Sequence, residues 1–271
     1  MKTEPEWYMD LIYRMDRNGR RVHVGEWQSQ PGHDHPMSIT YELMNEAITL
    51  DVPTPGVDML ERTQAYYNPN LPWAEDHFQE RVGGEPLNPP PSEAWWPFHQ
   101  NGNKEHKEGE IFSHTYPERI WPKLAVTDPK FPNMGIRYDY GDLADVVNML
   151  LRNPHTRQAY LPIWFPEDTG SVQGQRVPCT LGYQFIIRDN LATIVYFMRS
   201  CDIMRHLKDD AYMAARLLQW VVGILQGNGI TVRASSLHMH MTSLHCFEGD
   251  GPMIRKLIED YQEEEEYGAG V

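Results

Sequence analysis

The chain has 271 residues, 41% of them apolar and 11% aromatic, which is enough to bury a core in one large domain or two small ones. The formal net charge of -14 argues against a protein that binds nucleic acid along its phosphates, although a local basic pocket for one phosphate stays open. No apolar run approaches the roughly 20 residues of a membrane span. Residues 1–10 also lack the apolar core of a signal peptide, so we expect a cytoplasmic protein with no membrane partner.

The first predicted elements lie around residues 53–107, which are rich in Pro, Gly and Asn. This composition predicts long loops around short helices. We therefore expect a variable insert region rather than a separate domain. The texture changes at Asp142, where apolar residues at helical spacing predict a helix that stops at Pro154.

Three β-rich segments follow, at residues 159–165, 181–189 and 191–200. They carry the β-branched and aromatic residues that are typical of strands. Asp189 and Asn190 separate the last two segments, which predicts a hairpin at that point.

A long, mostly buried helix is predicted next from the spacing of its apolar residues. Asp209 or Asp210 is the expected N-cap, and Gly227 and Gly229 are expected to end the helix.

The last predicted elements are a strand within residues 230–247 and a short terminal helix. The acidic tail, residues 260–271, reads most simply as a solvated end. The order of elements predicts a single domain over residues 1–271, of the α/β or α+β class.

The three cysteines, Cys179, Cys201 and Cys246, leave one over after any pairing and contain no CxxC spacing. The sequence therefore predicts neither a disulfide framework nor a zinc site, and reduced thiols are expected. His238 and His240 would share one face of a strand, but no acidic or sulfur ligand stands at a convincing spacing, so we expect no metal.

Cys179 stands at the start of one predicted strand, directly after Pro178, and Arg199 and Ser200 close the next strand. A lone cysteine is more often a buried structural residue, but cationic neighbours can make a thiol nucleophilic. A forked guanidinium beside a hydroxyl suits a phosphate group. The residues alone leave both interpretations of Cys179 open.

An ordered set of motifs contains these residues: NPHTRQ at 153–158, VPCTLGYQFIIRDNL at 177–191 and RSCD at 199–202. In order and spacing they resemble the Asn-Pro-Asp-Ser-Arg-Arg, Pro-Cys and Arg-Ser-x-Asp motifs of the thymidylate synthases and their pyrimidine-hydroxymethylase relatives.

Three further segments resemble parts of the same family: DRNGR at 16–20, GEIFSHTYPERIW at 109–121 and HMTSLH at 240–245. The resemblance is specific over residues 109–246 and weaker before them. It implies a thymidylate synthase-like fold, in which helices flank a central mixed β-sheet and two copies of the chain pair through their sheets.

The resemblance also implies the roles of individual residues. Cys179 would be the nucleophile, and Arg17, Arg199 and Ser200 would be phosphate ligands. Arg157 would bind the phosphate held by a second subunit, so the partners would be a homodimer with shared active sites, a pyrimidine nucleoside monophosphate and a folate.

Further roles follow by the same resemblance. Tyr116 would be a proton-relay hydroxyl, Asp202 and Trp96 would contact the folate, and His240 and Thr242 would bind the ribose. Thr242 stands where the family has tyrosine, and Gln158 replaces the second arginine of the Arg-Arg pair, a gap that Arg152 or Arg176 would have to fill.

Glu75 is the candidate for the general acid/base glutamate of the family, because an aromatic residue and a Gly-rich turn follow it. Asp76 and Glu80 are the alternatives, and a solvated helix carboxylate is a further interpretation of Glu75.

The chemistry of such an enzyme accounts for these residue types. Position 5 of a pyrimidine becomes nucleophilic only after a thiolate adds to position 6, and it then attacks the one-carbon unit of 5,10-methylenetetrahydrofolate. Proton transfers need groups with a pKa near neutrality. Hydride capture of the exocyclic methylene gives a methyl product, and water capture gives a hydroxymethyl product.

Asp210 stands eleven positions after Arg199, where thymidylate synthases have an asparagine. A carboxyl group can accept from the cytosine amine, whereas against uracil it would face a carbonyl oxygen. Thr180 and Met198 also resemble the deoxycytidylate (dCMP) hydroxymethylases of phages. The expected activity is dCMP 5-hydroxymethylation; a dCMP methylase, a CMP hydroxymethylase, a thymidylate synthase or dUMP hydroxymethylase, and a non-catalytic nucleotide-binding relative remain alternatives.

Overall fold

The computed structural model of the protein describes residues 4–24, 38–98, 107–108, 111–124, 141–169 and 177–268. Within these residues, six strands form one mixed sheet in the order β1-β2-β8-β7-β6-β5, and two short strands form a separate hairpin. The strands are β1 (Arg20–His23), β2 (Ile39–Asp51), β3 (Lys107–Glu108), β4 (Ile111–Phe112), β5 (Tyr160–Pro162), β6 (Thr180–Arg188), β7 (Leu191–Asp202) and β8 (Arg233–Phe247).

Helices flank this sheet, so the predicted α/β class with a central mixed sheet is confirmed. They are α1 (Glu6–Asn18), α2 (Met59–Tyr67), α3 (Trp73–Val82), α4 (Tyr116–Ile120), α5 (Leu143–Arg152), α6 (Pro166–Thr169), α7 (Leu207–Gly227) and α8 (Gly251–Gly268). No helix in the described parts of the chain is long and apolar enough to cross a bilayer.

The hairpin between β6 and β7 is confirmed. Asp189 and Asn190 both have positive φ, 51° and 60°, and the strands on either side pair antiparallel from Arg188 and Leu191. Two residues with positive φ give the turn whose twist matches that of paired strands, and Asp and Asn tolerate this conformation. The hairpin sets Cys179, just before β6, beside Arg199 near the end of β7.

The long helix α7 connects β7 to β8, which lie parallel and adjacent. The prediction of a long buried helix is confirmed, and Gly229 follows it with a φ of 82°. The predicted N-cap is wrong: the helix begins at Leu207 with His206 as N-cap, and the Asp210 amide donates to the His206 carbonyl over 2.8 Å. Asp209 and Asp210 therefore lie in the first turn, where carboxylates interact favourably with the helix dipole.

The stretch from residue 53 holds short helices, as predicted, and they contribute to the core. Tyr67 of α2 and Phe78 of α3 are buried, and both helices pack against α7. One face of the sheet is buried beneath helices such as α7, while alternate side chains on the other face, including Ile186, Val195 and Phe197, are only half-buried.

The terminal helix is longer than predicted. α8 has 18 residues and continues through the acidic segment to Gly268, so the prediction of a short helix is wrong. The acidic segment is solvated as expected where it is described, because Glu263 and Glu266 are exposed. Ile254, Leu257, Ile258 and Tyr261 recur at helical spacing and pack on the core. Glutamate is a good helix former, so the acidic run extends the helix.

Candidate active site

A cavity with about 980 Å³ of empty space, part of it open to solvent, lies between α3, the start of α4, the ends of β6 and β7, and the first turn of α7. The structure brings half of the predicted site residues to its wall. They are Trp96, Tyr116, Cys179, Ser200, Asp202 and Asp210.

Cys179 lies within reach of both residues of the Arg-Ser pair. The Ser200 hydroxyl is 3.5 Å from its Sγ, and Arg199 Nη2 is 3.8 Å from the same sulfur. Arg199 is held by the Pro178 carbonyl, which accepts from Nε over 2.8 Å. Two donors therefore point at a half-buried thiol from the neighbouring strand, an arrangement that can solvate a thiolate or an oxyanion.

Tyr116 is the first residue of α4, and a capping box fixes the start of that helix. The Thr115 amide donates to Glu118 Oε2 over 2.9 Å, and the Glu118 amide donates back to the Thr115 hydroxyl. The Tyr116 hydroxyl then accepts from Thr180 Oγ1 over 3.1 Å, and Thr180 is the residue after the thiol. Tyr196 adds a further hydroxyl 2.8 Å from Thr180 Oγ1, so three hydroxyls form a chain able to pass protons.

Charges around the cavity act on the Tyr116 hydroxyl. Burial raises its pKa above the ordinary tyrosine value, the nearby Cys179 and Asp210 raise it further, and Arg81 opposes them. The Arg81 guanidinium stacks on the Tyr116 ring, 4.2 Å from its centroid. Tyr116 is therefore a neutral proton donor and acceptor at physiological pH.

Two carboxyl groups of the first turn of α7 reach the cavity. Burial raises the pKa of Asp209 to about 6, although its carboxylate accepts from the Asn70 amide and side chain over 2.7 and 2.8 Å. Burial also raises the pKa of Asp210 to about 7, where Arg81 opposes the shift and Asp209 adds to it. Among the described residues, nothing donates a hydrogen bond to the Asp210 carboxyl group, so it is available to a ligand near neutral pH.

Glu75 lies outside this cavity. Its carboxylate accepts from Arg216 Nε and Nη2 over 3.0 and 2.9 Å and from the Tyr212 hydroxyl over 2.5 Å. Burial raises its pKa, but the bonds from Arg216 and Tyr212 outweigh burial and lower it overall. The alternatives Asp76 and Glu80 are also absent from the wall. Both carboxylates are already hydrogen-bonded: Trp95 Nε1 donates to Asp76, and the Ser92 amide donates to Glu80.

The ion pair predicts a structural role for Glu75. Glu75→Gln should lower the free energy of unfolding by about 2–4 kcal/mol at pH 7, because it leaves the Arg216 guanidinium buried without a charge partner. The pKa of Glu75 is lowered in the folded protein, so its contribution is present above the ordinary glutamate pKa and is lost as the pH falls through the folded value. Urea unfolding at neutral and acid pH measures both effects.

Glu61→Gln, at an exposed position on α2, is the matched control and should change the free energy of unfolding by less than about 0.5 kcal/mol. A Glu75→Gln protein as stable as the Glu61→Gln protein would contradict a structural role for the pair.

The face of α3 that does reach the cavity was missed from the sequence. Trp73, His77 and Arg81 stand four residues apart and all line the wall. His77 stacks on Trp73 with ring centroids 5.2 Å apart, and its Nδ1 lies 3.0 Å from the Ser92 hydroxyl. Burial lowers its pKa to about 4, so the ring is neutral at pH 7. The i, i+4, i+8 spacing was the available signal.

Aromatic rings form another part of the wall. Trp96 stacks on His206 with centroids 5.6 Å apart and planes 6° apart, and its buried Nε1 has no hydrogen-bond partner in the described part of the chain. Parallel rings and an unused donor fit a flat heteroaromatic ligand with an acceptor, as a folate pterin is. Asp202 is partly engaged already, because its Oδ1 accepts from the Met204 amide over 2.9 Å.

Arg199 is not itself on the wall but contacts Cys179, which is, and four other predicted residues are absent from the wall. Arg17 is exposed at the end of α1 with its guanidinium 5.9 Å from the Tyr13 ring centroid. Arg157 is exposed before β5. His240 and Thr242 are exposed on β8, where His240 stacks on Phe197 of the half-buried sheet face.

Arg152 and Arg176 are the two arginines that could fill the gap left by Gln158. Arg152 is exposed at the end of α5, and Arg176 lies outside the described residues. The ring nitrogens of His238 are close to the hydroxyls of Thr49 and Ser236, 2.9 and 3.2 Å away. In the described ranges, no three His, Cys, Asp or Glu side chains converge as metal ligands would.

Comparison with known proteins gives a distant relationship. No protein-family model matches the chain. A protein of Methanococcoides burtonii named "Putative thymidylate synthase" is 28% identical to it over 120 residues, which are 43% of this chain and 51% of that protein. The chain thus spans about half the length of this relative, and the similarity reaches the thymidylate synthase superfamily without specifying a substrate.

Proposed function

We propose that the protein is a folate-dependent one-carbon transferase that converts dCMP to 5-hydroxymethyl-dCMP, a precursor of modified DNA. The observation that carries the proposal is the placement of the Cys179 thiol, in contact with Ser200 and Arg199, in one cavity with Tyr116 and Asp210. Distant similarity to a protein named as a thymidylate synthase supports the one-carbon chemistry.

The thiol begins the reaction. Cys179 Sγ adds to position 6 of the pyrimidine, and the electron pair of the 5,6 double bond makes position 5 nucleophilic. 5,10-Methylenetetrahydrofolate supplies the one-carbon unit that joins position 5. Tyr116, with the hydroxyl chain behind it, accepts the position-5 proton as the bond from the one-carbon unit to the folate nitrogen breaks, which releases tetrahydrofolate and leaves an exocyclic methylene on position 5. Water then adds to that methylene, and the Cys179 sulfur leaves position 6 as the 5,6 double bond re-forms.

Arg199 and Ser200 serve the nucleotide phosphate in this proposal, because they present a guanidinium and a hydroxyl at the cavity end of β7. Arg157 would add a cation from a second subunit. The half-buried apolar side chains on one face of the sheet, such as Val195 and Phe197, support a homodimer that pairs through that face.

Asp210 selects the base. A carboxyl group that titrates near neutrality can accept from the cytosine amine and share a proton with position 3 of the ring. Against uracil the ionised carboxylate would face the position-4 carbonyl oxygen, and neither oxygen carries a donor. Only the protonated form of Asp210 could donate to that oxygen. Asp210 also stands close enough to Tyr116 to raise its pKa, which places base recognition beside proton transfer.

The direct test uses purified protein and dCMP that carries tritium at position 5. With 5,10-methylenetetrahydrofolate we expect release of tritium to water from dCMP, little release from tritiated dUMP, and no formation of dihydrofolate. Dihydrofolate with release from dCMP would mean a dCMP methylase, and release from dUMP with dihydrofolate would mean a thymidylate synthase.

Preference for CMP over dCMP would mean a ribonucleotide hydroxymethylase, and no release from any of these nucleotides would contradict an enzyme of this class.

Arg17→Gln is a useful companion variant. If Arg17 serves the phosphate, this variant should raise KM for dCMP about 10-fold.

A further inference from the structure

Arg81 is a buried cation that forms no ion pair with another described residue, although its charge acts on Asp209 and Asp210. It lies on α3, lines the cavity and is 5% exposed. Its Nε is buried with no hydrogen-bond partner, and among the described residues no carboxylate forms an ion pair with its guanidinium. A buried guanidinium without hydrogen bonds is costly for the folded protein, and a ligand that accepts hydrogen bonds from it would offset that cost.

Arg119 shows the usual solution to the same problem. It is also 5% exposed, but both of its terminal nitrogens donate to the Asp168 carboxylate, over 2.7 and 2.9 Å. Arg81 instead stacks on the face of the Tyr116 ring, with its Cζ 4.2 Å from the ring centroid. The ring face attracts a cation, but it accepts no hydrogen bond from N–H groups in the plane of the guanidinium. Its in-plane donors remain unused.

Other polar groups of the cavity are unused as well. Trp96 Nε1 is a second buried donor without a partner, and the Asp210 carboxyl group is an acceptor with no donor among the described residues. The cavity wall therefore carries two donors and one acceptor, together with the stacked ring pairs Trp73–His77 and Trp96–His206. A flat ring that carries both carbonyl and amine groups matches this set.

We propose that Arg81 binds a ring carbonyl oxygen of the ligand and holds that ring in register with Asp210. This inference rests on the proposed function, which offers two such oxygens: the 2-oxo group of the pyrimidine and the 4-oxo group of the folate pterin. The pyrimidine is favoured, because Arg81 stacks on Tyr116 and Tyr116 is one hydrogen bond from Thr180, the neighbour of the nucleophile. A cation there also stabilises the negative charge that thiolate addition places on the ring.

The test compares Arg81→Met and Arg81→Lys with Arg62→Met, a control at an exposed position on α2. Calorimetric titration of each full-length protein with dCMP, and then with tetrahydrofolate at saturating dCMP, separates the two sources of the carbonyl. We expect Arg81→Met to weaken dCMP binding by roughly 10- to 100-fold, Arg81→Lys to keep part of the affinity, and Arg62→Met to stay within about twofold of the unaltered protein. A loss confined to the tetrahydrofolate titration would assign the oxygen to the pterin.

Melting temperatures distinguish ligand binding from a structural role. Without ligand, Arg81→Met should melt at a temperature no lower than that of the unaltered protein, because it removes a buried guanidinium whose Nε makes no hydrogen bond among the described residues. Unchanged affinity for both ligands would overturn the inference and leave the proposed function intact. An unaltered protein that binds neither dCMP nor tetrahydrofolate would overturn both.

Discussion

Cys179→Ser should release tritium from position 5 of dCMP more slowly than the unaltered protein by roughly 10⁴-fold or more. A serine hydroxyl is a far weaker nucleophile than a thiolate at neutral pH, and the step that activates position 5 is then lost. Arg199 and Ser200 remain in place in this variant, so dCMP should still bind with nearly unchanged affinity. Single-turnover assays and calorimetry measure the two effects separately.

The other two cysteines provide controls. Cys246 is buried on β8, and burial raises its pKa to about 12, so it stays protonated and unreactive. Cys246→Ala should keep activity within about threefold of the unaltered protein while losing some stability to the cavity it creates. Cys201 lines the same cavity as Cys179, but burial raises its pKa well above the ordinary value. Full activity of Cys179→Ser together with loss of activity in Cys201→Ala would show that the nucleophile is Cys201 on β7 and not Cys179.

Asp210→Asn should shift the substrate preference from dCMP towards dUMP, changing the ratio of the two kcat/KM values by roughly 10²- to 10⁴-fold. The amide places a donor against the position-4 carbonyl of uracil, and it loses the ability to share a proton with position 3 of cytosine. Competition between the two tritiated nucleotides in one reaction gives the ratio directly. A ratio that stays within twofold would show that another group reads the base.

The same substitution has a signature in stability. The pKa of Asp210 is raised in the folded protein, from an ordinary value of 3.8 to about 7, so the folded state holds a proton that the unfolded state has released between these pH values. The free energy of unfolding of the unaltered protein therefore falls as the pH rises through this window. The stability of Asp210→Asn relative to the unaltered protein should be greater at pH 8 than at pH 4 by on the order of 2 kcal/mol. Asp209→Asn is the matched control for base preference: the Asp209 carboxylate is hydrogen-bonded to Asn70, so this substitution should leave the base preference unchanged.

Local patterns in the sequence were enough to predict several elements. The turn at Asp189 and Asn190 depends on two adjacent residues that tolerate positive φ, and no distant contact is needed to specify it. The helix over Leu143–Arg152 has an aspartate cap and a regular apolar stripe. The length of α8 was missed because the packing of Leu257 and Ile258 on the core depends on a surface formed by distant residues.

The candidate site shows the same division. Cys179 and the Arg-Ser pair were predicted correctly to lie together, because one hairpin brings them into contact. The spacing of Trp73, His77 and Arg81 marks the side of α3 that faces the cavity, but charged residues stand on several faces of this helix, so the spacing alone did not distinguish that side from the one that carries Glu75. Arg216, which engages Glu75, lies far along the chain, whereas Arg81 forms no such ion pair with any residue that the structure describes.

The Glu75–Arg216 pair and the Tyr212 hydrogen bond join α3 to α7, the two helices that carry Arg81 and Asp210. The separation between this cation and this carboxyl group is therefore fixed when the chain folds, and the conformational entropy of bringing them together is lost before any ligand arrives. A ring of the right width can bind between them without moving either helix, so little of its binding free energy is lost to rearrangement.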